Sequence, residues 1–277
     1  MGRAFEFRKE RKLKRWGHMA KTFTKIGKEI TIAVKQGGPD VVGNSRLRAL
    51  MAEARSENMP KDNVEKAIKR ALEKNQGDFK EVVFEGYGPH GIAYLVETAT
   101  DNNTRTVANV RSYFTKCGGS LGTSGSVSFM FDHKCVFRIK YQEGMDIDEL
   151  QLALCECDDD PEVFIEEQED KDENITKNVV IYGAYESYGA IQKYIEDNGY
   201  ELVSGGFERI PNVELKDVTP EQRETLDKLT GLLEDDDDVT NVYSTLNGPG
   251  HAALHRPAPR RGQQVRPQDG HHAHRPG

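Results

Sequence analysis

The sequence has few of the features that mark secreted, membrane-spanning or disulfide-stabilised proteins. Its four cysteines, Cys117, Cys135, Cys155 and Cys157, are irregularly spaced and form no disulfide framework, so we expect free thiols in a reducing cytosol. No apolar run approaches the length that crosses a bilayer, and the charged N-terminus has no apolar segment typical of a secretory signal. These absences favour a cytoplasmic location.

Patterns that indicate catalysis or a metal centre are also scarce. Cys155 and Cys157 lack a second ligand pair, and the acidic residues that follow them disfavour the thiolate form. The glycine-rich loop at 118–125 lacks the Gly-Lys-Ser/Thr ending of a phosphate-binding loop. Neither His90 nor His133 has a spacing that suggests a nucleophile and its base. We therefore expect no enzyme, no metal ion and no cofactor.

The distribution of charge divides the chain into two parts. Between Arg3 and Lys80 there are 20 basic and ten acidic residues, a net charge of +10, whereas the whole chain carries −8 and the remainder therefore −18. A cationic module joined to an anionic body suggests that one end meets a polyanion while the body keeps the molecule soluble. The length of 277 residues predicts two or three domains.

Three amphipathic helices are predicted within the basic part. From Ala20 to Lys35 apolar residues recur at helical spacing, with lysines on the opposite side, until a Gly-Gly-Pro sequence at 37–39 stops the helix. A second helix follows Asn44 or Ser45 as cap, and a third has Asp62 as cap in a capping box with Glu65. The three helices are expected to form a bundle with basic outer faces.

The basic faces predict contact with nucleic acid. Surface lysines often do no more than solvate a helix, but here they outnumber acids two to one and form a single stripe on the first helix. The candidate binding residues are Arg11, Lys12, Lys14, Arg15, Lys21, Lys25, Lys28, Arg46, Arg48, Lys61, Lys66, Lys69 and Arg70. The second and third helices resemble a helix-turn-helix only loosely, and lysine grips phosphate more than it reads bases, so weak sequence specificity is expected.

The remaining chain predicts an α+β fold with one domain inserted in another. Residues 132–205 read as β-α-β-β-α-β, the ferredoxin-like order, with Leu150, Leu152 and Leu154 as candidate core of its first helix. Residues 81–131 supply two strands, a helix and a strand at Val127–Phe131. Strands at Phe207–Val213 and Val239–Leu246, with a helix between them that begins at Thr219-Pro220, are expected to complete their sheet. The acidic run at 235–238 is interpreted as a solvated turn.

The predicted organisation is therefore an N-terminal three-helix bundle plus two α+β, ferredoxin-like domains. Its parts are a basic arm at 1–19, a helical nucleic-acid-binding domain at 20–80, a discontinuous α+β domain at 81–131 and 206–247, an inserted ferredoxin-like domain at 132–205, and a disordered tail at 248–277. The arm is interpreted either as an extension ordered by a partner or as a tail docked on the helices. The tail is rich in Pro, Gly, His and Arg, and we interpret it as an aberrant C-terminus without a physiological metal site.

Several blocks of the sequence resemble the YebC family. They are Asn44-Ser45-Arg46-Leu47-Arg48, Asn58-Met59-Pro60-Lys61-Asp62-Asn63-Val64-Glu65-Lys66-Ala67-Ile68-Lys69, Phe84-Glu85-Gly86-Tyr87-Gly88-Pro89, Thr100-Asp101-Asn102-Asn103-Thr104-Arg105-Thr106-Val107 and Gly125-Ser126-Val127. The resemblance runs in order from about residue 15 to residue 246. Two departures are the opening Phe5-Glu6-Phe7-Arg8-Lys9, where the family has a Gly-His-Ser-Lys-Trp segment, and the C-terminal tail.

The resemblance implies a three-domain cytoplasmic protein and a probable transcriptional regulator that binds DNA. Mitochondrial relatives are translational activators, and bacterial members are linked to the ribosome and to stalled synthesis of proline-rich sequences. The alternative is thus a ribosome-associated factor that binds rRNA or tRNA, in which Asn102, Asn103 and Arg105 would reach a tRNA or the reaction centre. A third interpretation makes the acidic inserted domain a protein-interaction surface.

Overall fold

A computed structural model describes residues 3–73, 78–169 and 175–247 of the chain. The first element, α1 (Arg3–Gly37), is a single helix of 35 residues. The segment predicted as an arm is therefore helical from Arg3 onward. Residues 3–16 contain neither glycine nor proline and are mostly good helix formers, which explains why the helix extends through them. The predicted disorder of 248–277 lies outside the described residues.

The end of α1 is joined to the next helix by one buried asparagine. Gly38 adopts a φ of +84° and donates its N–H to the carbonyl of Val34, which confirms the predicted glycine stop. The Asn44 carboxamide oxygen accepts from the N–H of Leu47 at 3.0 Å and caps α2 (Ser45–Ser56). Its amide nitrogen donates to the carbonyls of Ala33 and Gly38 at 2.8 and 2.9 Å. The cap therefore fixes the angle between the two helices.

The third helix, α3 (Lys61–Leu72), begins without a side-chain cap. The capping box predicted for Asp62 and Glu65 was wrong, because Pro60, with a φ of −59°, stands at the N-cap and starts the helix one residue after itself. The three helices form the predicted bundle. Its core is made of Ile26, Ile30, Ala33, Val34, Leu47, Leu50, Ala54, Met59, Val64, Ala67 and Ala71.

The first sheet is antiparallel and has the strand order β3-β1-β2-β8. Its strands are β1 (Lys80–Tyr87), β2 (Ala93–Thr100), β3 (Ser120–Leu121) and β8 (Val239–Ser244). Two helices, α4 (Asn103–Lys116) and α7 (Pro220–Glu234), pack on one face of it. Thr219 and Gln222 form a capping box at the start of α7, with Pro220 in the first turn as predicted. The core between sheet and helices includes Phe84, Tyr94, Val96, Val110, Phe114, Leu226, Leu229 and Leu233.

The second sheet has the order β5-β6-β4-β7, which confirms the predicted ferredoxin-like topology. Its elements are β4 (Phe131–Lys140), α5 (Ile147–Leu154), β5 (Glu162–Glu169), β6 (Ile175–Ala184), α6 (Tyr188–Asp197) and β7 (Leu202–Pro211). The chain enters this sheet by β4 and leaves it by β7. These two strands are paired neighbours, with Phe131 opposite Pro211.

Three predictions about the sheets were wrong. Residues 202–211 form one strand of the second sheet, so the boundary placed at 205/206 falls inside β7 and the return to the first sheet begins after Pro211. Residues Ser128–Met130 form a 3₁₀ helix before β4 and not a strand. Leu152 is 73% exposed, because it lies two residues from both Leu150 and Leu154, which face the sheet.

Candidate nucleic-acid interface

The predicted nucleic-acid-binding residues lie on the three helices of the bundle and at the start of α4. Lys21, Lys25 and Lys28 form one stripe along α1, which we call the lysine stripe. Arg46 and Arg48 belong to α2, and Lys61, Lys66, Lys69 and Arg70 to α3. The first half of α1 contains Arg11, Lys12, Lys14 and Arg15. The structure describes the backbone of these residues, and the prediction about their side chains lies outside the described part. Asn102, Asn103 and Arg105 stand at the start of α4.

The lysine stripe contacts the C-terminal end of α7 and the residues that follow it. The Lys21 ammonium lies 2.8 Å from an Asp235 carboxylate oxygen, and Lys25 donates to the Glu234 carbonyl at 2.7 Å. Lys28 donates to the Asp237 carbonyl at 2.7 Å. Carbonyls at a helix C-terminus carry the negative end of the helix dipole, so three ammonium groups are stabilised there. Residues 234–238, which we call the acidic segment, thus cover the stripe.

Asp238 is the centre of a buried network. Its carboxylate lies 2.8 Å from the Lys28 ammonium and 2.7 Å from Arg105 Nη2, and it accepts from the Thr106 hydroxyl at 3.0 Å. The side chains of Asp238 and Lys28 are only 6% and 12% exposed. Burial alone would raise the pKa of this carboxyl, but the hydrogen bonds from Lys28 and Arg105 outweigh it and lower the pKa. The network ties α1, α4 and the α7–β8 connection together.

The interpretation of residues 235–238 as a solvated turn was wrong for two of the four aspartates. Asp236 and Asp238 are 8% and 4% exposed, whereas Asp235 and Asp237 are exposed. The Asp236 carboxylate accepts from the Tyr113 hydroxyl at 2.9 Å and from the Asn109 amide at 3.1 Å. Burial and this hydrogen bond raise the pKa of Tyr113 to about 12. The buried aspartates are possible because α4 supplies donors to them.

The two arginines of α2 are engaged inside the protein. Arg46 forms an ion pair with Glu81 of β1 and donates to the Gln36 carboxamide at 3.1 Å. Arg48 donates to the carbonyls of Val41 and Val42 at 3.2 and 2.8 Å and so closes the α1–α2 loop. Both side chains therefore have structural roles in this arrangement.

The cations of α3 face solvent. Lys61 lies 3.8 Å from Glu65, and their side chains are 89% and 63% exposed. Arg70 lies over the Phe79 ring at 4.9 Å. Lys66 and Lys69 are exposed, and within the described residues neither forms an ion pair. This helix thus presents basic groups that the fold does not use.

The start of α4 is held in place by its own side chains. The Asn102 carboxamide oxygen accepts from the N–H of Arg105 at 3.1 Å and caps the helix. Asn103 is exposed. Arg105 bridges Asp101 and Asp238 and remains 48% exposed at its side chain. Because Asp238 also binds Lys28, this helix start is brought next to the lysine stripe.

Sequence reasoning missed two glutamates at the meeting point of the three domains. Glu29 and Glu53 line a cavity of about 530 Å³ between α1, α2 and the two sheets. Burial and the neighbouring Glu53 raise the pKa of Glu29 to about 8, and burial and Glu57 raise that of Glu53 to about 6. The available signal is that each follows a buried residue, Ile26 or Leu50, by three positions and therefore lies beside an apolar stripe.

Other site classes find no support in the part of the chain that the structure describes. No group of three or more His, Cys, Asp or Glu side chains is arranged there to hold a metal ion. No helix in the same ranges has the length and hydropathy needed to span a bilayer. All four cysteines are free thiols, as expected.

These elements define a class of α+β proteins in which a helical bundle precedes two sheet domains, one inserted in the other. The family model described as the TACO1/YebC protein N-terminal domain matches residues 3–74, and the model of the TACO1/YebC second and third domains matches residues 79–246. The chain belongs to the TACO1/YebC family.

Similar proteins are found in several bacteria. A probable transcriptional regulatory protein of Parabacteroides distasonis is 60% identical over 246 residues, which cover 89% of this chain and 97% of that protein. One of Flavobacterium johnsoniae is 56% identical, with coverage of 89% and 99%. The crystal structure of a conserved hypothetical protein from Aquifex aeolicus superposes with a TM-score of 0.67 at 32% identity, over 82% of this chain and 90% of that one.

The matched range corrects one detail of the sequence analysis. The resemblance was expected to begin near residue 15, but the N-terminal family model matches from residue 3. The matched range therefore includes the opening segment, which is helical from Arg3 onward. The match ends at residue 246, where the described sheet also ends.

Proposed function

We propose that this chain is a cytoplasmic transcriptional regulator that binds DNA through its N-terminal helical domain. Relatives that match 89% of the chain are named probable transcriptional regulatory proteins, which supports the regulatory role. The observation that carries the DNA contact is the exposed cationic face of α3, where Lys66 and Lys69 serve no ion pair within the described residues. Arginine and lysine in such positions neutralise phosphates and release counterions.

The proposal assigns different parts to the basic residues. Lys66, Lys69 and Arg70 would contact phosphates directly, together with the basic first half of α1. Arg46 and Arg48 would instead hold the bundle in shape, because their guanidinium groups already bind Glu81 and backbone carbonyls. Since contacts to phosphate carry no sequence information, the affinity would depend little on base sequence.

The test compares two charge reversals in the full-length protein. Lys66→Glu combined with Lys69→Glu reverses the charge of two α3 cations, and Lys193→Glu, at an exposed lysine on α6 of the inserted domain, is the control. Fluorescence anisotropy with a labelled random-sequence duplex should show that the double variant binds at least about tenfold more weakly. The slope of its log affinity against log salt concentration should be smaller in magnitude by about two, because two phosphate contacts are lost.

The same titration with a structured RNA of equal charge separates the two nucleic acids. Preference for the duplex supports a role in transcription. Tighter binding to the RNA, with the same loss in the double variant, would replace this proposal by a role in translation. Equal weakening by the Lys193→Glu control would show that α3 is not the contact surface.

A further inference from the structure

The lysine stripe has the spacing of a surface that binds polyanions, but in this structure the acidic segment of the same chain covers it. Three ammonium groups, spaced by about one helical turn each, meet oxygens of the acidic segment at 2.7 to 2.8 Å. These oxygens are a carboxylate oxygen of Asp235, the carbonyl of Glu234 at the end of α7 and the carbonyl of Asp237 beyond that helix. They occupy the positions that phosphate oxygens would take on the same lysines.

The contact is graded in strength along the stripe. At one end, the side chains of Lys21 and Asp235 are 41% and 78% exposed, so their ion pair is screened and weak. In the middle, Lys25 meets only a carbonyl oxygen, and burial lowers its pKa. At the other end, Lys28 and Asp238 are buried. The acidic segment is therefore easiest to displace at Lys21, the end nearest the first half of α1.

We propose that the acidic segment is an intramolecular competitor that covers Lys21 and Lys25, and that a nucleic-acid phosphate backbone displaces it. The proposal rests on the function proposed above and deepens it. A nucleic-acid strand that approaches from the N-terminal side of the stripe reaches Lys21 first. There it replaces Asp235, while the Lys28–Asp238 pair remains as a pivot between α1 and the first sheet.

The geometry explains why such a competitor weakens binding without abolishing it. The cations of α3 are exposed in this arrangement, so a first contact forms without any rearrangement. Further contacts at Lys21 and Lys25 require the loss of their present partners, which lowers the net gain. Nucleic acid that cannot make the first contact would therefore not open the stripe.

The experiment weakens the competitor without touching the buried network. Asp235→Asn combined with Asp237→Asn removes two exposed negative charges, whereas Asp236 and Asp238 are left in place because they bind α4. Asp159→Asn combined with Asp160→Asn, two exposed aspartates of the inserted domain, makes the same change in net charge and is the control. Each full-length protein is titrated with the labelled duplex over a range of salt concentrations.

The expected result is a gain confined to the first variant. Its affinity should rise about three- to tenfold, and its salt dependence should steepen by up to about two, because Lys21 and Lys25 become available to phosphates. Mass-spectrometric lysine acetylation without nucleic acid should show faster modification of Lys21 in this variant. Lys21→Gln with Lys25→Gln should then reduce affinity more in the variant than in the unmodified protein.

The failures of the two proposals are distinguishable. If both aspartate variants bind the duplex as tightly as the unmodified protein, the competitor is refuted while DNA binding stands. An equal gain in both variants assigns the effect to net charge and likewise refutes the competitor. If none of the proteins binds duplex or RNA, the proposed function fails, and the role of the acidic segment falls with it.

Discussion

The two lysine-rich helices α1 and α3 are similar in composition and differ in how their charges are used. The lysine stripe of α1 packs against the acidic segment and a buried aspartate, whereas Lys66 and Lys69 of α3 extend into solvent. A count of basic residues treats the two helices alike. The difference shows that a high content of basic residues predicts a polyanion-binding surface only where those residues are not already paired with acidic groups of the same protein.

The difference follows from where each helix lies. The described part of α1 runs beside the α7–β8 connection and the start of α4, so its lysines meet a second domain. Helix α3 buries Val64, Ala67 and Ala71 in the bundle, whereas its lysines are exposed. One helix is thus an interdomain joint and the other an outer surface.

The largest expected difference concerns the buried end of the lysine stripe. Asp238→Ala leaves Lys28 buried without its carboxylate and should lower the free energy of unfolding by about 3 kcal/mol. Lys66→Ala on α3 should change it by less than about 0.5 kcal/mol, because this side chain is exposed. Urea denaturation of both variants tests the comparison. Similar losses in the two would mean that the Lys28–Asp238 pair does not stabilise the joint.

A smaller difference is expected between the helix starts. Asn44→Ala removes the cap of α2 and leaves the carbonyls of Ala33 and Gly38 without their donor, so stability should fall by about 2 kcal/mol. Asp62→Ala on α3, where no side chain caps the helix, should cost less than about 0.5 kcal/mol. Thermal unfolding followed by circular dichroism measures both. A larger loss for Asp62→Ala would contradict the assignment of the caps.

The smallest expected effect concerns Glu29 on α1, whose carboxyl is partly buried and lies near Glu53. The pKa of Glu29 is raised to about 8 in the folded state against 4.5 ordinarily, so the folded protein holds a proton that the unfolded chain has lost. Stability therefore falls as the pH rises from about 4.5 to about 8 and is level above that range. Because Glu29 keeps partial access to solvent, the effect is much smaller than for a fully buried carboxyl, and Glu29→Gln should remove this slope and stabilise the protein by about 1 kcal/mol at pH 8.

Denaturation at several pH values between 5 and 9 provides the measurement for Glu29. The pKa of Asp238 is shifted in the opposite direction, since Lys28 and Arg105 favour its charged form. The contribution of Asp238 to stability is fully present above the unfolded pKa of 3.8 and is lost as the pH falls through the lower pKa of the folded state. This loss lies outside the range of pH 5 to 9. An unchanged pH slope in Glu29→Gln would show that this carboxyl is ionised in the folded protein.

Features that depend on neighbouring residues were predicted well from the sequence. Asn44 and Thr219 cap the helices that follow them, because a short polar side chain next to an apolar periodicity acts within three residues. The prediction failed at Asp62, where Pro60 imposed an earlier start on α3. Here two local signals competed, and the one that fixes the backbone prevailed.

Features that depend on distant residues could not be predicted in this way. The acidic run was interpreted as solvated because its partner Lys28 is 210 positions away in the sequence. A domain boundary was placed between residues 205 and 206, but Gly205 lies opposite Phe137 in the sheet. A Cβ there would come within 3.0 Å of that ring, so the glycine makes room for a core side chain and the strand continues through it.

The pairing of the first and last strands of the second sheet has a consequence for how the gene product tolerates change. Because Phe131 and Pro211 are opposite each other, the two points at which the outer domain is interrupted are about 5 Å apart, as neighbouring strands are. For the domain that contains the first sheet, the inserted domain therefore connects two neighbouring points, as a short hairpin loop would. Replacement of the inserted domain by another domain whose ends are adjacent would therefore leave the strand connectivity of the first sheet unchanged.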